Sequence, residues 1–273
     1  MNSQALATTY SVLGIDISSY NKVEFYRTVE EGLAQPTGQR TPMFIVTVNP
    51  EIAIQTIVDY DFKSILSNYS INTADGKGIS WAVKFLYGVK MDRITGSDSV
   101  EEICRIAAGL NNTVFFYGAM PSVAARAARI LEERIPELQF AGTYSPERPD
   151  LMFEELPEAT QQELKKANVV FVALGAPAQE KWIYKNLSHL PACKLIIGIG
   201  GSLDFITGDI KRAPRFFRNT GIEWMYRLYS QPSRWRRMLK LPLFAINIVL
   251  LKASASNGTA KQLPRQKLRV GHL

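Results

Sequence analysis

The sequence predicts an α/β protein, Rossmann-like, with a mostly parallel sheet and helices on both faces. Three observations carry that reading. Apolar, β-rich runs recur at Met43–Val48, Thr113–Tyr117, Val169–Leu174 and Lys194–Ile199, each of a length suited to a buried strand. From residue 113 to 201 such runs alternate with Gly- or Pro-bearing turns and helical patterns, which is how parallel strands with crossover helices are written. The 273 residues are 46% hydrophobic, enough for one sizeable core or two closely joined lobes.

Taken in order, Val12–Ile17, interrupted by Gly14, reads as the first strand and Asn21–Leu33 as the first helix. Gly38–Pro42 is a turn leading to the strand Met43–Val48. Glu51–Asp61 has helical spacing, with Ala53, Ile54, Ile57 and Val58 as its apolar face. Ser70–Asn72 ends another strand, Thr73–Gly78 is a small-residue loop, and Ile79–Tyr87 is an amphipathic helix. Asp98 or Ser97 is placed to cap a helix over Ser99–Ala108. Beyond the strand Thr113–Tyr117 follow the helix Ser122–Ile135, the strand Leu138–Ala141 and a Pro- and Glu-rich loop from Pro146 to Glu158. The helices Glu158–Lys166 and Lys181–Leu187 and the strands Val169–Leu174 and Lys194–Ile199 complete the core.

Charge divides the chain. From Phe205 onward there are 14 Lys and Arg against 2 Asp and Glu, whereas residues 1–204 carry 18 basic and 23 acidic side chains. The positive field therefore belongs to the C-terminal segment rather than to the α/β core. This divides the chain into a core at 1–204, a basic helical appendage at 205–251 and a flexible basic tail at 252–273. Arg234, Arg236, Arg237 and Lys240 are interleaved with Trp235, Met238 and Leu239 and precede the apolar run Leu241–Leu251. Such a mixture suits an anionic bilayer surface better than nucleic acid, because rings and aliphatic chains enter the interface while guanidinium groups meet phosphates. The 11-residue run is too short to span a bilayer.

Other classes are disfavoured. Two cysteines, Cys104 and Cys193, with no CxxC and only two histidines, argue against a zinc site or a disulfide framework and point to reducing cytoplasm. The N-terminus lacks the pattern of a signal peptide. No full dinucleotide fingerprint or Walker A loop is present.

Ligands of open α/β sheets gather beyond the C-terminal strand ends, so the loops there are the informative ones. Asp75 can accept a proton from a hydroxyl nucleophile or bond its own backbone in a turn. Thr47 and Asn49 alternate on one side of an extended chain and can bond a sugar or phosphate; Asn49-Pro50 is also a turn signal. The Gly175–Glu180 loop can offer backbone N–H groups to an anion, with Gln179 reaching a sugar hydroxyl, or simply start a helix. Gly198, Gly200 and Gly201 allow close diphosphate approach or only a sharp strand exit. Asp204 and Asp209 are better explained by a cap or an ion pair than by metal ligation.

Five ordered blocks carry a family resemblance: TVNPEIAI at 47–54, ADGKGI at 74–79, FFYGAMPSVAARAA at 115–128, VFVALGAPAQEKWI at 170–183 and GIGGSLDFITGDIKRAPRFFRNTGIEWMYRLYSQPSRWRR at 198–237. The chain resembles the WecG/TagA/CpsF glycosyltransferases over most of its length. The resemblance implies transfer of a hexose or N-acetylhexosamine, N-acetylmannosamine or a glucose-like sugar, from a UDP-sugar to a polyprenyl-diphosphate-linked sugar. It implies work at the cytoplasmic face of the cell membrane in making teichoic acid linkers, enterobacterial common antigen, capsules or exopolysaccharides. It implies inversion without a bound metal. Under it Asp75 is the candidate base, Thr47 and Asn49 position substrate, and Gln179, Gly175, Gly200 and Gly201 lie on the donor side. Arg212, Arg215 and Arg227 are candidates to meet the diphosphate, Ile210–Tyr229 forms a lid, and Arg234–Leu251 faces the bilayer. A homo-oligomer is compatible with this reading and no nucleic-acid partner is expected. A non-catalytic anionic-lipid or nucleic-acid binding module is the alternative, separated by sugar transfer itself.

Overall fold

The chain begins with a two-stranded hairpin where the sequence reads as one strand. In the computed structural model, which describes residues 8–38, 41–68, 70–214, 217, 223–230, 235–256 and 265–266, β1 (Thr8–Val12) pairs antiparallel with β2 (Ile15–Ser18). Leu13 and Gly14 form the turn with φ of 53° and 81°. Positive φ at both central residues matches the twist of a two-residue hairpin. Val12, Ile15 and Ile17 are fully buried, and the Tyr87 hydroxyl donates to the Ser11 carbonyl at 2.8 Å. The short strand β9 (Arg265–Gln266) pairs with the other edge of β1.

After α1 (Lys22–Leu33), capped by Asn21 and Glu24 in a reciprocal capping box, come six parallel strands with their helices. They are β3 (Met43–Val48), β4 (Ile71–Ala74), β5 (Thr113–Gly118), β6 (Gln139–Tyr144), β7 (Val169–Ala173) and β8 (Leu195–Gly198). Their order across the sheet is β4-β3-β8-β7-β5-β6. Every residue of β3, β7 and β8 is buried, as expected of parallel strands covered on both faces. Alternate residues serve two cores. Phe44, Val46, Val48, Phe115, Tyr117, Val170, Val172 and Ile196 face one; Met43, Ile45, Val114, Phe116, Val169, Phe171, Leu195 and Ile197 face the other.

The expected helix Glu51–Asp61 is two helices, α2 (Pro50–Val58) and α3 (Tyr60–Asn68). Asp59 leaves helical geometry, accepts from the Phe62 amide at 3.0 Å and bonds Lys181 Nζ at 2.7 Å. The buried face of α2 is Ile52, Ala53 and Thr56, while Ile57 and Val58 are exposed, so the apolar face read from spacing is rotated. Next come α4 (Gly76–Tyr87), starting before the expected Ile79, and α5 (Gly96–Gly109), capped by Thr95 rather than by Ser97 or Asp98. α6 (Val123–Arg134), α7 (Glu158–Lys166), α8 (Ala178–Asn186) and α9 (Leu203–Thr207) fill the rest of the core. A 3-10 turn at Phe153–Glu155 interrupts the expected loop 146–158.

The chain continues into α10 (Glu223–Ser230), α11 (Trp235–Met238) and α12 (Lys240–Ser256). α12 continues five residues past the expected boundary at 251. It buries Phe244 and Ile248 in the core that α2 and α4 share, and Lys240 Nζ donates to Gln55 Oε1 of α2 at 2.8 Å. Its other side shows Leu243, Ile246, Val249 and Leu250 to solvent. Among the described residues no helix is long and apolar enough to cross a membrane. The remainder of the expected tail, 257–264 and 267–273, lies outside the described residues.

Candidate active site

A cleft of about 540 Å³ opens at the C-terminal ends of β3, β4, β7 and β8. It is lined by Thr47, Asn49, Asp75, Gln179, Gly198 and Gly200, together with Gly175 and Gly201. Arg212, Lys211, Tyr226, Arg237 and Lys240 of the appendage stand around the same space. The cleft thus gathers carboxylates from the core and cations from the C-terminal segment, the charge division seen in the sequence.

Asp75 is placed by its two glycines. Its amide donates to the Val48 carbonyl at 2.7 Å, continuing the ladder one step past β4. Gly76 then takes φ of +80°, a value costly for a residue with a Cβ. At Gly78 a Cβ would come within 2.4 Å of Pro50 Cγ, so the first turn of α4 lies directly against the start of α2. Asp75 occupies the N-cap position of α4, yet its side chain makes no capping bond. Ordinarily an Asp there satisfies an orphan N–H of the first turn; here the carboxylate sits at the positive end of a helix and on the cleft wall.

Asn49 differs. Its Oδ1 accepts from the Ile52 amide at 3.0 Å and caps α2, so the turn signal and the cleft position coexist. Thr47 is buried at the end of β3. A Cβ on Gly96 would lie 3.4 Å from both Thr47 Oγ1 and Ser202 Oγ, so α5 begins tight against this wall.

Gln179 is buried at the start of α8 and its amide is engaged inside the protein. Oε1 accepts from the Gly175 amide at 3.1 Å and from the Gly200 amide at 3.0 Å. Nε2 donates to Glu180 Oε1 at 2.7 Å. The Gly175 N–H, expected to face an anion, is bonded to this side chain, as is the N–H of Gly200. A Cβ at Gly198 would lie 2.4 Å from Gln179 Nε2 and 3.0 Å from Glu180 Oε1, so the absent side chain there makes room for the amide and the acid.

Arg212 reaches the cleft while held from behind: Nη2 donates to Ser97 Oγ at 3.1 Å and to Asp98 Oδ1 at 2.5 Å. Burial works to raise the Asp98 pKa, but the hydrogen bond and charge of Arg212, with Thr95 and Lys22, outweigh it and hold the carboxyl below its ordinary value. Asp204, on the cleft, is pushed up by burial and by Asp209; Asp209 is paired with Arg126 of α6 and held down by it. A cap or an ion pair was expected for Asp209, with Lys211 and Arg212 nearby; the ion pair forms with Arg126 instead. Among the described residues no three His, Cys, Asp or Glu side chains converge as metal ligands would. Arg215 lies outside the described residues, and Arg227 lies on α10 with its side chain outside them.

Arg237 and Lys240, expected to face the bilayer, both line the cleft. Glu51, Gln55 and Thr95 also line it, as does Ser97, expected only as a helix cap. The only prior signal for the two cations was their sign, since interleaved basic and apolar residues do not reveal which way a short helix turns.

A family model described as "Glycosyl transferase WecG/TagA/CpsF family" matches residues 10–258. The chain belongs to this family. As a WecG/TagA/CpsF glycosyltransferase it is similar to the N-acetylglucosaminyldiphosphoundecaprenol N-acetyl-beta-D-mannosaminyltransferase of Bacillus subtilis (strain 168), 35% identical over 213 residues, 77% of this chain and 80% of that protein. A protein of the same name from Staphylococcus aureus (strain MRSA252) is 30% identical over 241 residues, 88% of this chain and 92% of its own length. The matched segment of this glycosyltransferase extends through the cleft-lining parts of the appendage and includes α12.

Proposed function

We propose that this glycosyltransferase moves an N-acetylmannosaminyl unit from a UDP-sugar to a polyprenyl-diphosphate-linked N-acetylglucosamine in cell-surface polysaccharide synthesis. The observation that carries the mechanism is one cleft holding Asp75, without a capping bond, and the cations Lys211, Arg212, Arg237 and Lys240. The relatives' names supply the sugar and the acceptor.

In this reading the acceptor hydroxyl oxygen attacks the anomeric carbon of the donor. Its proton passes to the Asp75 carboxylate as the new C–O bond forms. The bond from the anomeric carbon to the diphosphate oxygen breaks, and its electron pair leaves on UDP. Guanidinium and ammonium groups already aimed at the cleft stabilise that charge as it develops. The relatives' names specify a β product, which one displacement delivers from an α-linked donor. Thr47 and Asn49 form the wall beside the attacking hydroxyl, and the Gly175–Gln179 and Gly198–Gly201 turns form the donor end.

The same reading places the enzyme on the cytoplasmic surface of the cell membrane. The solvent side of α12 carries Leu243, Ile246, Val249 and Leu250, and the helix has no acidic residue between Lys240 and Lys252. An apolar face flanked by cations suits the headgroup boundary of an anionic bilayer, where a polyprenyl-linked acceptor resides.

The deciding experiment incubates the full chain with UDP-N-acetylmannosamine and a short-chain polyprenyl-diphosphate N-acetylglucosamine. The expected product is a disaccharide lipid with a β linkage. No transfer, with folded protein and competent acceptor, overturns the substrate assignment; an α linkage overturns the single displacement.

A further inference from the structure

Glu180 is a fully buried carboxylic acid for which the transfer step has no use. It sits on the first turn of α8, where an acidic side chain ordinarily stays in water and benefits from the helix dipole. Here it turns inward beneath Gly198. Oε1 accepts from Gln179 Nε2 at 2.7 Å, while Oε2 is buried and has no hydrogen-bond partner among the described residues. Burying a carboxyl with one oxygen unpaired is costly. The arrangement bought by that cost is the orientation of the neighbouring amide.

A glutamine amide has two faces that differ only in which atom is the acceptor. Gly175 and Gly200 both present N–H donors to one side of Gln179, so that side must be the oxygen. An acceptor on the other side enforces this, and Glu180 Oε1 is that acceptor. The carboxyl, the amide and two backbone donors make a clasp that ties the turn after β7 to the turn after β8. Both turns line the cleft.

We propose that Glu180 is a positioning residue that locks the Gln179 amide and thereby fixes the spacing of the Gly175 and Gly200 turns that receive the donor. Burial pushes the Glu180 pKa up to about 7, which favours the neutral acid, the form that tolerates an unpaired oxygen best. The inference rests on the donor lying at this end of the cleft, as proposed above.

The test compares Glu180→Gln with Glu180→Met in steady-state transfer, varying UDP-N-acetylmannosamine and the lipid acceptor separately. Gln keeps a carbonyl oxygen for Gln179 Nε2; Met keeps the volume without a good acceptor. The expected result is near-wild-type kinetics for E180Q. For E180M the donor KM rises severalfold as the donor end loosens, while the acceptor KM holds. Wild-type donor KM in folded E180M overturns the proposal, as does E180Q being impaired as much as E180M. Should E180M not fold, Gln179→Met removes the clasp from its other side; a wild-type donor KM there also overturns it. Absence of transfer by the wild-type chain would instead sink the substrate reading, so the two failures are distinguishable.

Discussion

Arg212 Nη2 donates to Asp98 Oδ1 at 2.5 Å, tying the first residues of the appendage to the first turn of α5. A guanidinium held from behind presents its remaining donors to the cleft in one orientation. Asp98→Asn is expected to raise the donor KM severalfold, with Arg212→Lys no better than Arg212→Ala, because a lysine cannot span Ser97, Asp98 and a phosphate together. Steady-state kinetics on the three variants check this. The pair also has an acid signature. The folded pKa of Asp98 lies below its ordinary 3.8, so its contribution is present above 3.8 and lost as pH falls through the folded value. Both side chains are about one-third exposed, which limits the contribution to about 1 kcal/mol or less.

Asp75→Asn should separate chemistry from stability. The side chain makes no capping bond, so the substitution gives up the favourable charge at the N-terminus of α4 but no N-cap hydrogen bond, and the melting temperature is expected to fall by no more than about 4 °C. Loss of the base is expected to cut kcat by about 10²- to 10⁴-fold with little change in donor KM. Asn49→Ala is the contrasting variant. It removes the Ile52 cap and should cost about 1 kcal/mol in denaturant unfolding. Unchanged turnover in D75N would remove Asp75 from the mechanism.

Gly78 is a packing position. A Cβ there meets Pro50 Cγ at 2.4 Å, and Pro50 is a ring fixed at the start of α2. Gly78→Ala is expected to destabilise the fold by about 1–3 kcal/mol and to lower kcat by shifting Asp75 against the Thr47 wall. Thermal unfolding and kinetics read the two effects; a variant as stable and active as wild type would show that the two helices have room to separate.

How much of this was written legibly follows from where each signal resides. Strands buried on both faces read as continuous apolar runs, so β3, β5, β7 and β8 were found. The hairpin was missed because Leu13 takes positive φ, which nothing about a leucine announces. The start of α4 was missed because Gly76 and Gly78 argue against a helix locally, while their reason, a left-handed turn and contact with Pro50, is tertiary. Asp75 was legible as a polar residue at a strand end. The Gln179 clasp was not, because its partners Gly175 and Gly200 follow different strands and meet only when β7 and β8 pair. Nor could spacing show that Arg237 and Lys240 turn toward the cleft, since Arg237 sits on the short α11 and Lys240 at the start of α12, whose docking on α2 is tertiary.

The exposed side of α12 gives a prediction for membrane binding. Ile246 and Leu250 are 55% and 60% exposed, so charges there should leave the fold intact. Ile246→Glu with Leu250→Glu is expected to lower binding to anionic vesicles at least about tenfold, since both apolar burial and charge attraction are lost. Co-sedimentation with phosphatidylglycerol-containing vesicles reads this. Transfer to a water-soluble acceptor should be unchanged. Equal sedimentation of variant and wild type would remove α12 from the membrane contact.

Glu180 makes stability depend on pH in a window where most surface carboxyls do not titrate. Its ordinary value is 4.5 and burial carries it to about 7 in the folded chain. The folded state therefore holds this proton more tightly than the unfolded state does. The stabilisation is complete below 4.5, declines as pH rises, and is gone above about 7. A shift of that size corresponds to about 3 kcal/mol between pH 4.5 and 8. Glu180→Gln removes the titration but keeps the oxygen that Gln179 needs, so its unfolding free energy should be flatter over the same range. The two proteins should differ most at pH 8, with E180Q the more stable. Denaturant unfolding at pH 5, 6, 7 and 8 measures both curves, and parallel curves would mean that Glu180 does not titrate in this window.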